Sequence, residues 1–182
     1  PFAVGSAEAV LTKSSTLTGD LTPGTSFSYQ FFVGCIGPDD CVGLTFTDQF
    51  PEDLEVIVTS LPTDTSTRDV EWDPVTRTLT IEYIEPTLDP VGVGMRADSA
   101  SVHAFDVTVS LPAETTVEDG HEFENTAHVT GDNLDDDEEA TVIVEATIPR
   151  NILTAATKSF SPTSGLAGSG AAATIGLTVR NG

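Results

Sequence analysis

His103-Ala104-Phe105-Asp106-Val107-Thr108-Val109-Ser110-Leu111 alternates apolar and polar side chains, and this run decides the fold class. Successive side chains of a strand point to opposite faces. His103, Phe105, Val107, Val109 and Leu111 therefore share one face, and Ala104, Asp106, Thr108 and Ser110 the other. The same period of two recurs outward in both directions. Phe27, Tyr29, Phe31 and Val33 alternate with Ser28, Gln30 and Phe32. Leu44, Phe46 and Phe50 alternate with Thr45, Thr47 and Gln49, and Leu79, Ile81 and Tyr83 with Thr78, Thr80 and Glu82. Phe123, Ala127 and Val129 share a face, and Val142 and Val144 begin another run. Between the runs lie turn signals: Thr22-Pro23-Gly24, Gly37-Pro38, Leu61-Pro62, Asp73-Pro74, Asp89-Pro90, Glu118-Asp119-Gly120 and Gly131-Asp132.

No segment carries an amphipathic helical stripe of three turns. Many short strands at this spacing predict an all-β fold, an antiparallel sandwich of immunoglobulin-like architecture. The chain of 182 residues carries 29 acidic and 7 basic side chains, a formal charge of -22. That charge argues against nucleic acid and anionic membrane as partners, and a solvating outer surface is its plainest meaning. No apolar run approaches the ~20 residues that span a bilayer, so no membrane insertion is expected of this stretch. No basic and apolar leader opens the chain, and it closes at Arg180-Asn181-Gly182 straight after a strand-like run, so a piece of a longer protein is expected.

The cysteines, Cys35 and Cys41, bracket Ile36-Gly37-Pro38-Asp39-Asp40. With no nearby histidine a zinc site is not expected. The pair reads as a short disulfide closing a turn, in an oxidising, extracytoplasmic location, or as two free thiols.

Only two lysines occur, and both stand in one local phrase, Thr12-Lys13-Ser14 and Thr157-Lys158-Ser159. Lys13 is followed by Leu21-Thr22-Pro23-Gly24 and the strand Phe27 to Val33. Lys158 is followed by Phe160-Ser161-Pro162, a Gly-rich turn and the strand Ile175 to Val179. This weak repeat predicts one complete domain over residues 1–148 and the opening strands of a second over 149–182, joined by the short linker Ile148-Pro149-Arg150-Asn151.

Strand parity turns three polar side chains inward. Asp48 has the parity of Leu44, Phe46 and Phe50; Asn125 that of Phe123, Ala127 and Val129; Lys13 that of Leu11 and Leu17. Buried, they cost several kcal/mol unless they satisfy one another, so they are expected to meet. Desolvation favours a neutral amine beside a protonated acid. A neutral Lys13 amine can attack the Asn125 carboxamide while Asp48 polarises the carbonyl and shuttles protons. Ammonia leaves, and an isopeptide joins Lys13 to Asn125. The alternative is a hydrogen-bonded cluster without covalent closure.

At these residues the chain resembles a known family. Thr12-Lys13, Pro23-Gly24-Thr25-Ser26-Phe27-Ser28-Tyr29, Phe46-Thr47-Asp48-Gln49-Phe50-Pro51-Glu52-Asp53-Leu54 and Glu124-Asn125-Thr126-Ala127-His128-Val129 resemble the repeat of long bacterial and archaeal surface proteins known as domain of unknown function eleven. They also resemble the isopeptide-forming domains of Gram-positive pilins and collagen-binding adhesins. The resemblance spans nearly all of residues 8–147. It implies the order lysine, acid, asparagine at Lys13, Asp48 and Asn125. Where the relatives' second strand ends in Asn-x-Gly, this chain has Gly34 to Cys41 instead, whereas Arg180-Asn181-Gly182 keeps that pattern. Lys158 is then the nucleophile of the next domain, unreacted here.

Other groups are weaker. The run Asp132-Asn133-Leu134-Asp135-Asp136-Asp137-Glu138-Glu139 offers Asp132, Asn133, Asp135 and Asp137 as Ca²⁺ ligands, without EF-hand spacing; a solvated acidic loop is the plainer reading, and no other cofactor is expected. Asp39 and Asp40 are a lesser loop candidate. His103, His121 and His128 fall on separate segments, and turnover catalysis has no support. Trp72 reads as a core or edge aromatic before a glycan platform. The expected function is a structural repeat of an extracellular surface protein or adhesin, with neighbouring repeats and identical filament subunits as partners. The rivals are a binding module using loops 84–98 or 132–139, and a filament subunit assembled by strand donation through 149–182.

Overall fold

The run around Phe105 forms a strand in the interior of a sheet, flanked on both sides. In this computed structural model, residues 7–36, 39–85, 92–97, 102–149, 153–161 and 174–181 are described. The chain divides into two compact units, Pro1–Ile148 and Pro149–Gly182.

In the first unit, β1 (Ala9–Ser15), β2 (Ser26–Cys35), β9 (Val102–Ser110) and β5 (Glu55–Val56) make one antiparallel sheet in the order β1-β2-β9-β5. The second sheet runs β11 (Glu138–Glu145), β10 (Glu122–Thr130), β4 (Thr45–Gln49), β7 (Thr78–Glu85), β8 (Gly92–Met95), β3 (Cys41–Val42), with β6 (Arg68–Asp73) also paired to β7. The chain is an all-β, immunoglobulin-like sandwich. Its inner faces are the alternating residues of the sequence: Phe27, Tyr29, Phe31 and Val33 face Phe46, Leu79, Ile81, Phe123 and Val129 across a continuous buried core. Phe31 stacks on Phe105 at 4.9 Å and meets Phe46 of the opposite sheet edge-on at 5.2 Å. Each such ring pair adds about 0.5–1.5 kcal/mol beyond area burial.

Turn chemistry fixes the entry to β2. Thr25 N–H donates to Thr22 C=O at 2.9 Å, with Pro23 and Gly24 between them and Gly24 at φ +85°. That is a type II turn, whose third position requires positive φ. Arg77 also adopts positive φ, +59°, and its guanidinium donates to the carbonyls of Phe50, Pro51 and Leu54, clamping the loop that follows β4.

Several elements go beyond the sequence reading. β3, β5 and β8 are too short to show a period, and β6 is masked by its charged residues. Trp72 lies in β6 with its ring 6.0 Å from Phe50, partly buried against the core. Loop 84–98 is partly strand, since β7 and β8 reach into it. Gly37-Pro38 and Asp89-Pro90 lie outside the described residues. The acidic run is a loop only up to Asp137, because β11 begins at Glu138.

In the second unit, β12 (Leu153–Ser161) pairs antiparallel with β13 (Thr174–Asn181), and Lys158 stands opposite Leu177 in that register.

Candidate functional site

Register brings the three inward polar residues together. Asp48 of β4 pairs with Ala127 of β10, so Asn125, two residues along the same face, is its diagonal neighbour. Lys13 pairs with Phe31 across β1 and β2, and its side chain crosses the core from the other sheet. Lys13 and Asp48 side chains have 0% exposure, and Asn125 is 1% exposed. Lys13 Nζ donates to Asp48 Oδ2 at 3.0 Å and to the Asn125 main-chain carbonyl at 3.0 Å. Asn125 Nδ2 donates to the same Asp48 Oδ2 at 3.4 Å. One carboxylate oxygen thus touches both the amine and the amide nitrogen.

Aromatic rings keep the cluster dry. Nζ lies 4.9 Å from the Tyr29 ring centroid and 5.2 Å from that of Phe31. Burial pulls the Lys13 amine down to about 8, against the attraction and hydrogen bond of Asp48. Burial pushes Asp48 up to about 6, against its interactions with Lys13 and Asn125. Desolvation therefore moves both groups toward neutrality, the state in which lysine is a nucleophile and aspartic acid a proton donor.

One detail departs from the sequence expectation. Asp48 Oδ2 accepts from the Asn125 amide nitrogen rather than meeting its carbonyl oxygen, and the diagonal register is what brings the two side chains within reach. The buried side-chain atoms left without a partner among the described residues are Asn125 Oδ1, Asp48 Oδ1 and Tyr29 Oη. Tyr29 was legible only as a core residue. The available signal is a tyrosine in a row of phenylalanines, which buries a hydroxyl that needs a partner.

Cys35 and Cys41 form a disulfide, with Cα atoms 6.0 Å apart and a sequence separation of 6. A loop that short constrains the unfolded chain by about 2 kcal/mol. Replacing both cysteines by serine is expected to lower unfolding free energy by about that amount in urea titration.

The remaining candidates have other roles. Asn133 Oδ1 accepts from the Val42 N–H and its Nδ2 donates to the Asp40 carbonyl, each at 2.8 Å. Asp132 packs its carboxylate against Gly43, which sits at φ +66°. Asp40 Oδ1 accepts from the Ala97 N–H at 2.8 Å. Asp135 and Asp137 are exposed. Of Asp132, Asn133, Asp135 and Asp137, the Asn133 side chain is thus engaged in clamping β3. Among the described residues no group of three or more His, Cys, Asp or Glu is set to hold a metal. His103 is buried with Nδ1 2.9 Å from Tyr83 Oη, and burial lowers it to about 4, so it stays neutral. His128 lies on the outer face, 3.4 Å from Glu139.

Comparison with solved structures finds this architecture in a bacterial pilin subunit. The chain superposes on the major pilin subunit BcpA of Bacillus cereus with a TM-score of 0.54 at 16% identity, over 77% of this chain and 41% of that one. The fold is shared with a major pilin. A variant of the same subunit gives a TM-score of 0.55 at 15% identity, over 96% of this chain and 54% of that one. The chain therefore spans about half the length of these pilin subunits. A looser likeness is to the collagen-binding domain of a Staphylococcus aureus adhesin, with a TM-score of 0.43 at 11% identity over 76% of this chain and 96% of that one. No family model matches the sequence, and no curated protein does. No helix among the described residues is long and apolar enough to cross a membrane.

Proposed function

We propose that this chain is a structural module of an extracellular surface protein or filament, of the surface-repeat kind, locked by an isopeptide between Lys13 and Asn125. The observation that carries the reading is the position of Asp48 Oδ2, 3.0 Å from Lys13 Nζ and 3.4 Å from Asn125 Nδ2. From there Asp48, in its neutral form, gives its proton to the departing nitrogen and is reprotonated by the attacking amine. The amine and carboxamide become a secondary amide, and ammonia leaves. The pilin-like fold, the disulfide and the acidic outer surface support a location outside the cell, with repeats of the same polypeptide or identical subunits as neighbours. Turnover on an external substrate has no place in this reading, and Lys158 is the corresponding nucleophile of a following repeat.

Such a bond has a mechanical signature. Lys13 and Asn125 are 112 residues apart, and an unfolded chain extends at most ~3.3–3.6 Å per residue. Bonded, that segment cannot extend under load. In single-molecule pulling between the ends of the first unit, the unfolding step is expected to fall short of that of Asn125→Ala by ~390 Å. Equal steps would remove the load-bearing role.

A further inference from the structure

Amide exchange at Asn125 needs more than a nucleophile and a proton shuttle. As Nζ attacks the carboxamide carbon, negative charge develops on Oδ1, and a buried oxyanion without a donor is costly. Asp48 is turned to the nitrogen end of the amide. Oδ1 is buried and has no partner.

The donor inventory of the site is short. Of the buried atoms left unpartnered, Asn125 Oδ1 is an acceptor, and the proton of Asp48 is committed to the nitrogen end of the amide, which its Oδ2 faces. Tyr29 Oη carries a hydrogen. Tyr29 is 0% exposed, and its ring lies directly beneath Lys13 Nζ. It stands on β2 next to β1, facing β4 and β10, with its ring 6.0 Å from that of Phe50, which follows β4.

We propose that Tyr29 is a fourth catalytic residue of the cross-link, its hydroxyl donating to Asn125 Oδ1 as the tetrahedral intermediate forms. This rests on the isopeptide reading and deepens it. Burial, reinforced by the charge of Asp48 and opposed by Asn125, holds the phenol far above its ordinary range, so Tyr29 keeps its proton and acts as a donor, not as a base. The bookkeeping is unchanged by its presence. The Nζ lone pair forms the new C–N bond, electrons move onto Oδ1 under the Tyr29 hydrogen bond, and they return as the C–Nδ2 bond breaks. Asp48 delivers the proton that lets ammonia leave. Tyr29 ends the cycle with its own hydrogen, bonded to the isopeptide carbonyl.

The test is Tyr29→Phe in the full chain, which keeps the ring and removes only the hydroxyl. The fraction of molecules one ammonia lighter is followed by intact mass after refolding, alongside the parent chain. Removal of one oxyanion donor typically slows a reaction by ~10²–10³-fold. The expected result is a folded variant, shown by circular dichroism, that loses ammonia more slowly by about that factor. The slowing is expected to be uniform from acid to alkaline pH, which distinguishes a protonated donor from a titrating base or a packing defect. Parent and variant cross-linking at equal rates would overturn the role of Tyr29 and leave the bond standing. A parent that never loses ammonia overturns the bond itself, and Tyr29 with it. Should Tyr29→Phe fail to fold, Lys13→Met traps an unreacted site for NMR. A slowly exchanging Tyr29 hydroxyl proton with a nuclear Overhauser contact to the Asn125 carboxamide supports the proposal, and its absence overturns it.

Discussion

Asn125→Ala is expected to lower the thermal unfolding midpoint of the first unit by about 10–20 °C. The bond closes a loop of 112 residues, and a covalent closure of that length removes about 4–5 kcal/mol of conformational entropy from the unfolded chain. For a domain of this size each kcal/mol moves the midpoint by roughly 2–4 °C. Without the bond, the substitution removes only a long hydrogen bond to Asp48, at 3.4 Å, which is worth about 1 kcal/mol. Lys13→Arg serves as the control, because guanidinium keeps the charge opposite Asp48 but cannot act as the nucleophile. Scanning calorimetry is expected to show comparable losses for both variants. A shift of only a few degrees in each would point to an unreacted cluster.

Asp48→Ala is expected to abolish cross-linking while leaving nucleophile and electrophile in place. Positioned proton transfer contributes about 10²–10⁴-fold, and here one carboxyl group serves both transfers, so the variant is expected to keep the full sequence mass over days. The pH dependence of the parent reaction follows from the same pair. Reaction needs Lys13 neutral, which fails as pH falls below about 8, and Asp48 protonated, which fails as pH rises above about 6. The rate is therefore expected to be bell-shaped, with its limbs near those values. Stability of the unreacted precursor has the opposite shape. Asp48 is raised, so the folded state holds a proton that the unfolded state releases, and stability falls as pH climbs from the ordinary carboxylate range through about 6. Lys13 is lowered, so stability recovers as pH climbs from about 8 into the ordinary lysine range. The precursor is least stable between those values, where the reaction that locks it is fastest.

Much of this was legible in the sequence, for a physical reason. A half-buried strand writes its orientation into alternate residues, so Phe105, Tyr29 and Phe46 declared their faces. Asp48 and Asn125 declared theirs by standing where Phe or Val belonged. Short strands such as Cys41–Val42 have no period to read and are held by partners distant in the chain. Orientation within the cluster was also hidden. That Asp48 reaches the Asn125 carboxamide depends on the diagonal offset of β4 and β10, a register that no single strand encodes. The role of Tyr29 depends on that offset too. In the acidic run, too, the sequence does not show that Asn133 is drawn onto β3 and Asp132 against Gly43, because both partners are distant in the chain.

The central claim is a covalent bond, and intact mass of the purified, reduced chain tests it most directly. The expected mass is that of the sequence less one ammonia, returning to the full sequence mass in Lys13→Ala, Asp48→Ala and Asn125→Ala. A parent chain with the full sequence mass would contradict it.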